Sequence, residues 1–368
     1  MSRLDELIAE LCPDGVEHKR LSDVTTVARG KRVVKKELSQ TDGYPVYQNS
    51  LTIMGYYTDT NYPADTTFVI GAGAAGEIGY SSEDFWAADD CFPVPGNNEI
   101  LDRFIFHVLL WKKDCLSSRV RKASIPRLSR SVIEELVIPV PPLEIQSEIV
   151  RILDNFTELT AELTAELTAR KQQYEYYKQL LVSPKDSIEY RIDELCAICR
   201  GKVMSKPYIA EHKGDYPVYS SQTENNGELG RIDTYDFEGE YLSWTTDGAN
   251  AGTVFHRTGK FSVTNVCGLL KCKNESIIIP RYLFYTLGIE APLYVSAGMG
   301  NPKLMSNVMA RIKVKIPPVK EQQRIVDILD RFDSICNSIS SGLPAEIEAR
   351  QKQYEYYRDK LLTFKQLA

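Results

Sequence analysis

Apolar and aromatic residues recur every three or four positions along two stretches of this chain, except for one step of seven in each. In the first they stand at Ile149, Ile152, Phe156, Leu159, Leu163, Leu167, Tyr174, Tyr177 and Leu181. In the second they stand at Ile325, Ile328, Phe332, Ile335, Ile339, Leu343, Ile347, Tyr354, Tyr357 and Leu361. Steps of three and four place these side chains on one helix face, the seam of a coiled coil. Pro141-Pro142 and Pro317-Pro318 sit just ahead of the two stretches, where a missing amide hydrogen does no harm. Each predicted helix runs about 40 residues, or about 60 Å. Gly342-Leu343-Pro344 should kink or break the second one. The first carries a tandem tetrapeptide instead, TAEL at 160–163 and again at 164–167.

The two stretches belong to an internal repeat. Residues 140–154 read VPPLEIQSEIVRILD, and residues 316–330 read IPPVKEQQRIVDILD. ARKQQYEYY at 169–177 matches ARQKQYEYY at 349–357. Upstream, YPVY occurs at 44–47 and 216–219, and RGK at 29–31 and 200–202. IPRL at 125–128 aligns with NPKL at 301–304. The plan is a variable block of about 140 residues followed by a similar helical block of about 45, used twice. The expected segments are 1–140, 141–182, 183–316 and 317–368.

The variable blocks are rich in Gly, Tyr, Thr and Asn. They hold short β-type runs at Thr66–Ile70, Val132–Ile138 and Arg311–Ile316, with helices expected near 100–113 and 280–288. Such a mixture predicts compact α+β domains built on twisted sheets.

Length and composition fit this reading. The 368 residues suffice for two or three domains with their own cores, and 43% hydrophobic with 26% charged residues is ordinary globular composition. The formal net charge of −6 gives no overall basic excess. The four segments carry −4, −3, +1 and 0, so positive charge used for binding must be confined to one face of each variable block. No apolar run is long enough to span a bilayer, and the first residues lack the layout of a signal peptide. A cytoplasmic location with reduced cysteines is expected.

Catalytic signals are weak. Pro13-Asp14 with Glu17-His18-Lys19 imitates a PD…ExK nuclease, but the acids crowd one short stretch instead of two strands. No phosphate loop and no N-P-P-[YF] methyltransferase motif occurs. Gly71–Gly76 reads as a tight turn or a close backbone approach. Cys196-x-x-Cys199 with Cys267 and Cys272 could form a thiolate zinc site, but the second pair is loosely spaced, so buried structural thiols are the expectation. No catalytic residue and no metal are assigned.

Binding signals are stronger. Arg29, Lys31, Arg32, Lys35 and Lys36 form one basic run, and Arg119, Arg121, Lys122, Arg127 and Arg130 another. The second block offers Arg200, Lys202, Lys206, Arg231 and Lys303, then Arg311, Lys313 and Lys315. Gln48, Asn49, Gln222, Asn225 and Asn226 carry amides suited to base edges. Paired basic runs at matching places in two repeats predict DNA contact. A protein-binding scaffold, with paired helices displaying two domains and no DNA readout, is the alternative.

The chain resembles the specificity subunits of type I restriction–modification systems. The resemblance rests on the paired PP(L/V)xxQxxIVxILD helix starts, the paired ARxxQYEYY segments, the TAEL repeats and the IPRL/NPKL segments. It implies two target-recognition domains, each reading one half of a bipartite, asymmetric DNA target. It implies two long helices pairing as an antiparallel coiled coil that holds the domains apart. It also implies a non-catalytic subunit that scaffolds two modification (methyltransferase) subunits and the restriction (endonuclease/translocase) subunits. S-adenosylmethionine, ATP and Mg are then expected in those partners. Ile145, Tyr176 and Tyr356, taken as exposed and off the seam, are candidates for partner contact.

Overall fold

The structure is a computed structural model that describes residues 3–296, 300–338 and 341–367. By packing, the chain divides into two compact units, Met1–Thr164 with Glu346–Ala368 and Ala165–Ala345. This division is not the division by repeat. The helix Leu143–Leu181 is shared, and the cut falls inside its TAEL tetrapeptides.

Both units are α+β on one plan. In unit 1 the strand Thr66–Ile70 lies between Ile78–Ser81 and Cys91–Val94, antiparallel to both. All five of its residues are buried, so the run TTFVI shows no alternation. A second sheet joins Tyr44–Tyr47 to Tyr56–Tyr57 and Trp86–Ala87. A third pairs His18–Arg20 with Val137–Pro139, the first and last strands of the variable block. The helix Asp102–Trp111 contributes Phe104, Ile105, Val108 and Leu109 to the core.

Unit 2 repeats this arrangement. Tyr241–Thr245 lies between Val254–Arg257 and Cys267–Cys272, with Cys196–Arg200 added at the edge. Lys213–Tyr219 leads a second sheet, and Ile188–Arg191 pairs with Lys313–Ile316. The helix Pro280–Leu293 takes the place of Asp102–Trp111.

One expected strand is largely helical. In the run Val132–Ile138 only the end joins the strand Val137–Pro139, and Arg130–Glu134 forms a helical turn. Its apolar residues follow a spacing of three, and both Ile133 and Leu136 are buried.

The long helices are fixed to their globular cores by the same side chains in both units. Gln146 is fully buried. Its Oε1 accepts from the Leu101 amide at 2.9 Å, and its Nε2 donates to Glu99 O and Pro141 O, both at 2.8 Å. Gln322 does the same with the Ile279 amide, Ile277 O and Pro317 O, each at 2.8 Å. One buried amide therefore satisfies three backbone groups where the prolines open the helix. About two turns further on, Asp154 accepts from Arg103 and His107, and Asp330 accepts from Arg281 and Tyr285.

The second helical region is broken, as Gly342 and Pro344 predict. It comprises Val319–Asn337 and Leu343–Leu362. Pro344 falls in the first turn of the later helix, where it is tolerated. A Cβ on Gly342 would stand 2.5 Å from the Ser334 carbonyl, so the backbone approaches the end of the earlier helix too closely for a side chain. Inside unit 1, Phe156 stacks on Tyr357 with centroids 5.3 Å apart. Inside unit 2, Tyr174 and Tyr177 stack on Phe332.

Candidate nucleic-acid interface

The repeated RGK segment runs beside a buried strand in each unit. In unit 1 the Gly30 amide donates to Cys91 O at 3.0 Å, and the Lys31 amide to Ala87 O at 2.9 Å. In unit 2 the Lys202 amide donates to Val263 O at 3.2 Å. A Cβ on Gly30 would lie 2.0 Å from Ala88 O, and one on Gly201 2.0 Å from Val263 O. Only glycine permits this approach. The flanking cations Arg29, Lys31, Arg200 and Lys202 are left exposed.

The second repeated segment is pinned just as closely. In unit 1 the Leu128 amide donates to Gly71 O at 2.8 Å, and Pro126 O accepts from Gly73 at 3.1 Å. In unit 2 the Leu304 amide donates to Thr246 O at 2.9 Å, and Pro302 O accepts from Gly248 at 3.0 Å. Leu128 and Leu304 are buried, and Arg127 and Lys303 between these bonds are exposed. The indole of buried Trp244 adds a bond to Leu304 O at 2.9 Å. The glycine-rich stretch Gly71–Gly76 is thus the backbone cradle of this segment. Ala74 also takes a bond to Asn49 O at 2.9 Å, which places Asn49 beside the cradle.

These segments bring part of the basic set together in unit 1. Arg29, Arg121, Arg127 and Arg130 line one groove of about 670 Å³, with Phe92 and Ile125 as apolar walls and Asp90 as its one acid. Lys31, Arg32, Lys35, Lys36, Arg119 and Lys122 are exposed elsewhere, Lys35 and Lys36 in the short turn Lys35–Glu37. Among the described residues, none of the unit 1 candidates forms an ion pair apart from Arg130 with Glu134 at 3.0 Å. Gln48 is half-buried and Asn49 exposed.

Unit 2 holds its cations differently. Lys202 pairs with Asp236 at 2.6 Å, Arg231 with Glu228 at 2.9 Å and Lys303 with Asp247 at 3.7 Å. The Asp236 bond raises the Lys202 pKa, and the Glu228 bond that of Arg231. Lys206, Lys213, Gln222 and Arg231 border a groove of about 610 Å³. Gln222 is tied down, its Nε2 donating to Glu228 O. Asn225 and Asn226 are exposed. Lys313, on the edge of its strand, pairs with Glu189 at 2.7 Å.

Of the seam residues, Ile149 and Ile325 are buried and Ile335 is 42% exposed. Ile152, Phe156, Leu159, Leu163, Leu167, Tyr177, Leu181, Ile328, Phe332, Leu343, Ile347, Tyr357 and Leu361 are half-buried. Ile339 lies outside the described residues. The spacing missed Leu153 and Leu329, both fully buried. Ile145 is also fully buried, in the core of unit 1, so it is not an exposed contact residue. Tyr176 and Tyr356, at matching repeat positions, stand 64% and 63% exposed.

Among the described residues no group of three or more His, Cys, Asp or Glu lies close enough to hold an ion. Cys196 and Cys272 face each other across two strands at 3.9 Å, Cys267 is buried and Cys199 is exposed.

Two copies of one scaffold, each presenting the same two cation-bearing segments, agree with what comparison shows. The profile of the type I restriction modification DNA specificity domain matches residues 13–170 and again 184–349. The chain belongs to the type I restriction–modification specificity subunit family. The specificity subunit of the MpnII type I restriction enzyme of Mycoplasma pneumoniae is 37% identical over 308 residues, covering 66% of this chain and 93% of that one. A Haemophilus influenzae chain, named as a type I restriction enzyme specificity subunit, is 30% identical over 383 residues, covering 95% of this chain and 96% of its own. Among solved structures, the S subunit from M. genitalium superposes with a TM-score of 0.68 at 16% identity, over 94% of this chain and 96% of that one. A chain from a study of type I R-M complex assembly and conformational transition superposes at 0.57 and 16% identity, over 95% and 98%. These two likenesses concern the fold. As a specificity subunit, the chain is a DNA-recognition subunit without catalytic chemistry of its own, and the protein-only scaffold is set aside.

Four residues important to the unit cores were missed in the sequence: Gln146, Gln322, Asp154 and Asp330. The signal was present. Each pair is an identical polar residue, 176 positions apart, inside an otherwise apolar repeat.

Proposed function

We propose that each unit reads one half of a bipartite, asymmetric DNA target. The observation that carries this is the duplication of the RGK and P-[RK]-L segments. Both are pinned by the same backbone bonds in each unit, while the loops around them differ in sequence. Phosphate contacts from the shared cations would set the position, and amides on the differing loops would read bases. Two different half-sites follow.

Two modification subunits and the restriction subunits are the proposed partners, with S-adenosylmethionine, ATP and Mg acting in those partners. Tyr176 and Tyr356, exposed at equivalent repeat positions, suit two copies of the same partner. The proposed location is the cytoplasm. No helix among the described residues is long and apolar enough to cross a membrane.

The test is electrophoretic mobility of mixed duplex DNA with the full chain and its modification subunits. A retarded band that requires this chain is expected. Equal retardation with the modification subunits alone would remove DNA reading from it.

A further inference from the structure

Arg257 ends the strand Val254–Arg257 of unit 2 and is 2% exposed. Its Nε donates to Ser243 Oγ at 3.0 Å, but Nη1 and Nη2 are buried with no hydrogen-bond partner among the described residues. Among the described residues no carboxylate forms an ion pair with it, and Glu228, which favours its charged form, is taken by Arg231. The guanidinium lies 3.6 Å from the ring centroid of Tyr219 and 4.4 Å from that of Phe255. Burial pushes its pKa down to about 10. A buried cation with two open donors is costly, and an apolar replacement is often at least as stable.

Unit 1 shows that the scaffold does without it. Arg257 opposes Tyr241 across its ladder, and at the same rung of unit 1 Thr66 is opposed by Ser81. Ser81 bonds locally to Glu83 O at 2.7 Å. Tyr47, the counterpart of Tyr219, packs on Phe68 and Phe85 at 4.7 and 5.8 Å. An all-aromatic cluster therefore fills the place of the guanidinium.

The open end of Arg257 faces a loop that carries base-reading candidates. Asn225, Asn226 and Gly227 have φ of 48°, 52° and 77°, three left-handed residues in succession. A Cβ on Gly227 would stand 3.0 Å from Arg257 Nη2. The loop thus lies directly over the guanidinium.

We propose that Arg257 is a specificity-determining residue of unit 2, which donates from Nη1 and Nη2 to the paired acceptors of a guanine edge when the 222–227 loop lifts on DNA. This rests on the DNA reading proposed above. Guanine is favoured over phosphate because the two units share their exposed cation segments but differ at Arg257. A residue present in one unit only suits the property in which the half-sites differ. Guanine O6 and N7 also match the guanidinium fork.

The experiment is methylation-site sequencing with the full chain and its modification subunits, comparing wild type, Arg257→Met and Arg257→Lys, with thermal melting of each. The expected result is at least a tenfold loss of preference for one guanine in one half-site, with the other half-site and the spacer unchanged. Arg257→Met should melt no lower than wild type. Arg257→Lys keeps the charge but not the fork, so it should lose the same preference, and it decides the matter if Arg257→Met does not fold. An unchanged motif overturns the proposal. So does uniform weakening at all sequences, which marks a phosphate contact, or a fall in melting temperature that accounts for the loss. A wild-type chain that directs no motif removes the DNA reading itself, and this proposal with it.

Discussion

His107 Nε2 lies 2.8 Å from Asp154 Oδ1, joining the fully buried imidazole of the globular helix to the long helix of unit 1. Tyr285 and Asp330 make the equivalent bond in unit 2. A phenol and an imidazole therefore serve the same position, and His107→Tyr should be tolerated. His107→Ala should cost about 1–3 kcal/mol from the lost bond alone. Urea unfolding of the two variants checks this, and equal losses would contradict it.

The same pair gives a pH dependence. Burial lowers the His107 pKa, and the Asp154 bond offsets this only in part. The unfolded chain then binds a proton that the fold resists, so stability falls as pH drops below the ordinary histidine value of about 6.5. Burial raises the Asp154 pKa, but His107 and Arg103 outweigh it and the net shift is downward. That contribution is present above the unfolded aspartate pKa and is lost as pH falls through the folded one. Between pH 7.5 and 5.5 the wild type should lose stability, and His107→Tyr should lose less. Urea midpoints at the two pH values measure the difference.

Gln146→Leu and Gln322→Leu should be damaging to similar degrees. Each leaves one amide and two carbonyls of its unit without their buried partner. A loss on the order of 2–5 kcal/mol is expected for each. Chemical denaturation of the single variants tests it, and losses below about 1 kcal/mol would show that the clamp is dispensable.

Replacing Lys31, Arg32, Lys35 and Lys36 by Ala should weaken binding at every sequence and flatten its salt dependence. Replacing Gln48 or Asn49 should relax preference at one half-site only. Titrations over a range of salt concentrations separate the two effects. If affinity and salt slope stay unchanged, the Lys/Arg set faces away from DNA.

Deleting Thr164–Leu167 removes four residues, about 6 Å of helix or just under two base pairs. The preferred spacer should shorten with both half-sites intact. Methylation-site sequencing of cells carrying the deletion reads this directly, and an unchanged spacer would sink the idea.

Much of the plan was legible because repetition at offsets of 176 and 180 needs no physical decoding. The break at Gly342–Pro344 was legible because glycine and proline act locally. The seam was read less well. Spacing finds an apolar face but does not say what covers it. Ile145, Ile149 and Leu153 turn toward the globular core of unit 1, while Phe156 meets Tyr357. The basic runs were visible, but their pairing was not. Asp236, Glu228 and Asp247 neutralise cations of unit 2, and two of these acids lie more than thirty residues from their partners in the chain. Arg257 gave no signal at all, since burial of a lone arginine depends on the sheet around it.

The central claim is that this chain dictates which DNA is modified, one half-site per unit. Methylation-site sequencing of the host with and without the chain tests it most directly. The account predicts one bipartite motif, with two different half-sites and a fixed spacer, that disappears with the chain. A methylation pattern that stays the same without it would contradict the account.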